Sequence, residues 1–164
     1  MEPLIILIVV FIITLLSARI IRKVWLYSFA GCVAMSVMLI FTGISHFLFP
    51  EGMALMLPAF IPFKKEVIYF TGVIEIAAAA GLLIPRFRRI TAWLLIIFFI
   101  AILPANIHAA IHHVNLRTAS FDGSGLNYLW FRVPLQILFI AWVYYFGIRK
   151  HKYSVPYIPT NDPQ

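Results

Sequence analysis

The sequence predicts an all-α integral membrane protein: a four-helix core preceded by one further transmembrane helix at the amino terminus. Three observations carry that prediction. Of 164 residues, 63% are hydrophobic and 12% charged, with a mean hydropathy of +0.97, whereas a soluble domain carries about 25% charged residues. The apolar residues fall into five runs, each close to the ~20 residues that cross a bilayer. The basic residues cluster so that all five runs obey the positive-inside rule together.

The elements follow in order. Leu4 to Ala18 is apolar and extends to Ile21, with Glu2 before it and Arg19, Arg22 and Lys23 after. A cleaved signal peptide carries its positive charge on the opposite flank, so residues 1–23 read as a spanning helix ahead of the core. Residues 24–148 make the core itself. Its first span, Val24 to Phe49, starts on interfacial Trp25 and Tyr27 and offers Gly31, Ala34 and Ser36 for close approach of a neighbour. Pro50 and Gly52 end it. Glu51 to Lys65, with Pro58 and Pro62 around MALMLPAF, is too short to cross and should lie on the surface or dip in as a re-entrant piece. Glu66 to Ile84 is the next span, closed by Pro85, and Arg86, Arg88 and Arg89 read as a tight basic turn. Ile90 to about His113 follows, kinked by Pro104, which removes a backbone donor. Asn115 to Asn127 is a polar loop with turn chemistry at Asp122, Gly123, Ser124 and Gly125. The last span runs from Tyr128 to about Ile148, ahead of a Pro-containing polar tail, residues 149–164.

A net charge of +7 would suit nucleic acid, but the Lys and Arg lie in short clusters between apolar runs. That pattern fits anionic headgroups, so the bilayer is the expected partner and nucleic acid is not. Arg19, Arg22 and Lys23, then Arg86, Arg88 and Arg89, then Arg149, Lys150 and Lys152 mark one side; Lys64, Lys65 and Arg117 lie in loops on the other. The amino terminus is therefore expected outside and the carboxyl terminus in the cytoplasm. The single cysteine, Cys32, leaves no intrachain disulfide and no CxxC pair, and reads as a small packing residue.

Within this frame one carboxylate stands out. Glu75 lies in IYFTGVIEIAAAAGLL, roughly 13 Å below the outer start of its helix. A charge at such depth costs about 2.5–3.5 kcal/mol and usually faces a partner or a wet cavity. His46, Asn106, His108, Arg132 and Gln136 fall in the same outer half, so several helices deliver polar side chains to one layer. Arg132 is the natural ion-pair partner of Glu75; the plainer reading is a structural pair that fixes helix register. Arg132 and Gln136 share a helix face, and Pro134 between them frees the Trp130 carbonyl. His108 and His112 stand at a spacing that suits a metal or haem ligand pair, and a bis-histidine haem would need ligands such as His46 and His108 opposed across the bundle. Against this, His112 and His113 read as solvated residues at a helix end and His46 as a core histidine beside Thr42. Haem is disfavoured and no metal is expected. No phosphate loop, zinc motif or nucleophile elbow occurs. Catalytic residues therefore stay unassigned, with Glu75 and His108 as the groups suited to proton transfer.

Four pieces occur in order between about Ile40 and Tyr144: FTGISHFLFP with His46, VIYFTGVIEIAAAAGLLIPRFRRITAW with Glu75, ILPANIHAAI with Asn106, and LWFRVPLQ with Arg132 and Gln136. In these the chain resembles the DoxX family of membrane proteins. The resemblance implies a four-helix membrane core in a bacterial plasma (inner) membrane. The family is named for a subunit associated with thiosulfate:quinone oxidoreductase and terminal quinol oxidase, so it also implies a membrane redox complex as partner and a quinone-like ligand. It carries over no catalytic residue, and the paired cysteines of related thiol-redox branches are lacking here. The expected function is an accessory or small-molecule-binding subunit of a membrane redox system, with His46, Glu75, Asn106, His108, Arg132 and Gln136 forming the pocket. The alternative is a non-enzymatic assembly or structural protein whose polar network only fixes helix packing. A transporter is the weaker third reading, for want of inverted repeats or paired broken helices.

Overall fold

A computed structural model describes residues 2–149; of the expected cytoplasmic tail, 149–164, all but Arg149 lies outside the described residues, Lys150 and Lys152 included. The helices are α1 (Glu2–Arg22), α2 (Tyr27–Leu48), the short α3 (Pro50–Leu55), α4 (Lys64–Leu83), α5 (Pro85–Ile111) and α6 (Asn127–Val143), which continues into a π-helical turn, Tyr144–Arg149. With that turn counted in α6, five helices are long and apolar enough to cross a membrane. The described residues form an all-α bundle with no strand beyond one isolated bridge, Asn115 to Ser120.

Every helix end but one lies within three residues of its sequence expectation. The exception is the corner after α4. Only the extended Ile84 separates Leu83 from Pro85, which opens α5 at a position where its missing N–H is no loss. Arg86, Arg88 and Arg89 are therefore not a turn but the first turn of α5. Arg88 is buried, and its Nε donates to the Leu82 carbonyl at 2.9 Å, supplying a donor to the end of α4. The segment after α2 packs on the end of the bundle: α3 lies against α4, with Gly52 and Ala54 buried. After α3 it runs irregularly to Phe63, which adopts φ +50°, and Lys64 Nζ donates back to the Leu57 carbonyl at 2.8 Å.

In the bundle α2 packs against α4, α4 against α5 and α5 against α6, while α1 lies on α2. The α2–α4 crossing is the tightest. A Cβ on Gly43 would sit 3.1 Å from the Gly72 carbonyl, and one on Gly72 3.0 Å from the Gly43 carbonyl. Only residues without a side chain let the backbones approach this far. Toward the end that carries Arg22, Arg86 and Arg149, here the basic end, Met35, Leu39, Ala79, Leu82, Leu95 and Val143 form a dry plug. Ser36 Oγ satisfies itself inside it by donating to the Ala79 carbonyl at 2.8 Å.

Helix α6 joins α2 near the same end. Trp142 Nε1 donates to the Gly31 carbonyl and Ser28 Oγ to the Phe146 carbonyl, both at 3.0 Å. Phe146, in the widened π-helical turn, covers Gly31 so closely that any side chain there would strike its ring. Trp142→Phe keeps the aromatic bulk and removes the donor, so a loss of about 1 kcal/mol is expected from thermal unfolding in detergent. Phe11 of α1 meets the Trp142 ring edge-on at 5.0 Å between centroids, and Leu7 is the buried residue of α1.

At the opposite end, here the mouth end, the 112–126 loop folds back on itself and roofs the bundle. Gly52 of α3 abuts the Leu116 carbonyl, and Arg117 forms an exposed ion pair with Glu2. Ser120 donates to Asp122, and this bond, with help from Asn115, holds the Asp122 carboxyl below the usual carboxylate range.

Candidate functional site

A cavity of about 830 Å³ lies between α2, α4, α5 and α6 at the mouth end. Its walls are largely apolar, with Met38, Phe41, Ile68, Leu135 and Phe139 among them, and its polar residues converge from all four helices. That combination is typical of small-molecule sites.

Two hydrogen-bond networks meet the cavity. The first joins α2 to α4 across the glycine crossing. Glu75, 5% exposed, accepts from Thr42 Oγ1 through Oε2 at 2.6 Å. A hydroxyl has one proton; the short distance assigns it to the carboxylate rather than to the Met38 and Leu39 carbonyls, each 3.2 Å away. His46, one turn on, donates from Nδ1 to the Thr42 carbonyl at 3.1 Å. The second network joins α5 to α6. Arg132 Nε donates to Asn106 Oδ1 and Asn106 Nδ2 to Gln136 Oε1, each at 3.3 Å, and Gln136 Nε2 donates to the Phe99 carbonyl. Phe99 lies five residues before Pro104, next to Ile100, whose carbonyl the missing N–H of Pro104 leaves without its helical donor.

This bonding gives Gln136 a second role beside its place in the cavity wall. Gln136 and Asn106 are 5% and 2% exposed, and each amide is already engaged at both ends. They buttress Arg132, and each amide keeps one further N–H and one further lone pair at the cavity wall. Arg132 itself is half-buried and borders the cavity, and beyond Nε its guanidinium meets no acceptor among the described residues.

The expected Glu75–Arg132 ion pair does not form; no such bridge occurs among the described residues. The reason is the order of the helices. Helix α5 packs between α4 and α6 on one side, and the cavity separates them on the other, so both charges line the same space without touching.

His46, Glu75, Asn106, Arg132 and Gln136 all line the cavity, but His108 does not. Two residues along a helix turn about 200°, so with Asn106 facing inward His108 must face away. It stacks instead on His112 at 4.0 Å between ring centroids, its buried Nδ1 without a partner among the described residues. His112 Nδ1 bonds the His108 carbonyl, and His113 Nδ1 the Gly123 carbonyl, outside the cavity. His46 and His108 are thus not opposed across the bundle, which removes the bis-histidine haem geometry. Among the described residues no group of three or more His, Cys, Asp or Glu could hold a metal.

Sequence reasoning placed Thr42 only as a partner of His46 and passed over the two glycines that bring it to Glu75. Their signal was present: a hydroxyl next to a glycine on one span, and a glycine three residues before the carboxylate on the next.

Residues 35–147 match the model of a family described as a domain of unknown function, DUF8561. The chain belongs to the DUF8561 family. No curated protein and no solved structure matches it. The DUF8561 region takes in Thr42, His46, Glu75, Asn106, Arg132 and Gln136, while α1 precedes it.

Proposed function

We propose that this protein binds a small amphiphile in the cavity and serves a membrane redox system as an accessory, quinone-binding subunit. One observation carries the binding: the terminal amino groups of Arg132 and the second oxygen of Glu75 border a single cavity, and neither meets a protein partner among the described residues. A ligand carbonyl or anionic oxygen would accept from Arg132, and Glu75 would exchange a proton with the head. The quinone, the redox partner and the bacterial inner membrane rest on the resemblance to the DoxX family. The placement of the amino terminus and the mouth on the outer side rests on the basic clusters.

Titration of the purified protein with decylubiquinone tests this reading. Saturable binding that Arg132→Ala weakens at least tenfold, about 1.4 kcal/mol, is the expected result. Binding that never saturates, or that ignores the substitution, removes it. The Asn106–Gln136–Phe99 network favours one second reading, an assembly or structural protein in which polar groups only set helix register. Under that reading, replacing Glu75 and Arg132 together by methionine leaves folding and cellular phenotype intact.

A further inference from the structure

We propose that α1 is a movable side wall of the cavity, and that a single-tailed amphiphile enters sideways from the surrounding lipid beneath it. Its tail then lies in the seam between α2 and α6. The inference rests on the reading of the cavity as a ligand site and adds the route and the chemical class.

The seam is closed at one end only. The hydrogen bonds between α2 and the α6 segment, Trp142 to Gly31 and Ser28 to Phe146, sit toward the basic end. At the mouth end the cavity reaches Phe41 and Ser45 on α2 and Leu135 and Phe139 on α6, and the residues facing it across this gap are Ile5 and Ile6 of α1. Helix α1 therefore completes the wall that the four core helices leave open, and it does so from outside the region matched by the family.

The attachment of α1 is uneven along its length. Leu7 is fully buried, and Phe11 packs on the rings of Trp142 and Phe146. Beyond them Leu4 and Ile6 pack only partly buried against the core, and the polar tie at the mouth end is the Glu2–Arg117 pair, whose side chains are 57% and 67% exposed. Exposed ion pairs hold weakly and exchange readily with water. The helix can thus pivot near Leu7 while Glu2 releases Arg117. On the water side α3 and the 112–126 loop meet where Gly52 abuts the Leu116 carbonyl, and Met53, Leu57 and Leu116 line the cavity there. An apolar seam that leads to a guanidinium suits a flexible chain ending in an oxygen-bearing head.

The test uses the full-length protein in lipid nanodiscs with palmitic acid that carries a diazirine near its chain end. After irradiation, label is expected on α1 around Ile5–Ile6 and on α2 around Phe41–Ser45, reduced at least fivefold by Arg132→Ala. Label confined to the roof around Met53, Leu57 and Leu116, yet still reduced by Arg132→Ala, overturns the side route and leaves the site reading standing. Label indifferent to Arg132→Ala overturns both. Should that variant fail to accumulate, Ser45→Trp is read in its place. Ser45 is half-buried and bonds only a carbonyl of its own helix, so a bulky ring there should fill the seam and cut the α1 label at least fivefold; unchanged label overturns the proposal. Movement is read from the rate. Arg117→Glu should label at least twofold faster than wild type, and adding Glu2→Arg should slow it again, whereas equal rates in all three proteins overturn the movable wall.

Discussion

Gly72→Val is expected to destabilise the detergent-solubilised protein by about 2–3 kcal/mol, the range of an overpacked interface that cannot relax. The added carbon would lie 2.8 Å from His46 Cβ and 3.0 Å from the Gly43 carbonyl. The second of these atoms is backbone and cannot rotate away, so α2 and α4 must separate. Separation pulls Thr42 from Glu75, and that gives the prediction a second arm. Adding Thr42→Val to Gly72→Val should cost almost nothing further, because the bond it removes has already been lost. Thermal unfolding of the two single variants and the double checks both arms; simple additivity would mean that the crossing and the carboxylate are independent.

In the wild-type background Thr42→Val should cost about 1–3 kcal/mol although the two side chains have nearly the same shape. The loss comes from a buried carboxylate oxygen left without its donor. If so, the double variant Thr42→Val/Glu75→Met should recover most of the stability, since no charge is then stranded in an apolar wall. A double variant as unstable as the single one would show that the hydroxyl serves the α2 backbone rather than Glu75.

The membrane spans were legible because length and hydropathy alone decide them, and their ends fell close to the structure at every boundary but the start of α5. The α4–α5 corner was misread for a local reason. A proline stops the helix before it and also starts the one after it, and three arginines behind Pro85 fit a polar turn as well as a first helical turn. His108 was misplaced by counting depth without counting rotation: it shares a layer with Asn106 but points the other way. The Glu75–Arg132 pairing failed for a different cause. Depth put both residues in one layer, but which helices touch is a property of the assembled ring, and there α5 intervenes. The bond that does form, Thr42 to Glu75, depends on two glycines nearly thirty residues apart in the chain. Only their meeting makes a hydroxyl on one helix available to an acid on another.

The dry plug beneath the cavity has an electrical consequence. A cavity of about 830 Å³ with polar groups in its walls has room for many water molecules, and water reaching Glu75 would carry the bulk solution's potential with it. The insulating layer would then shrink to the apolar half of the bundle around Leu39, Leu82, Leu95 and Val143. A transmembrane voltage would fall across that layer rather than across the whole protein. These leucines and their neighbours would then bear a field roughly twice as steep as the one in the lipid alongside.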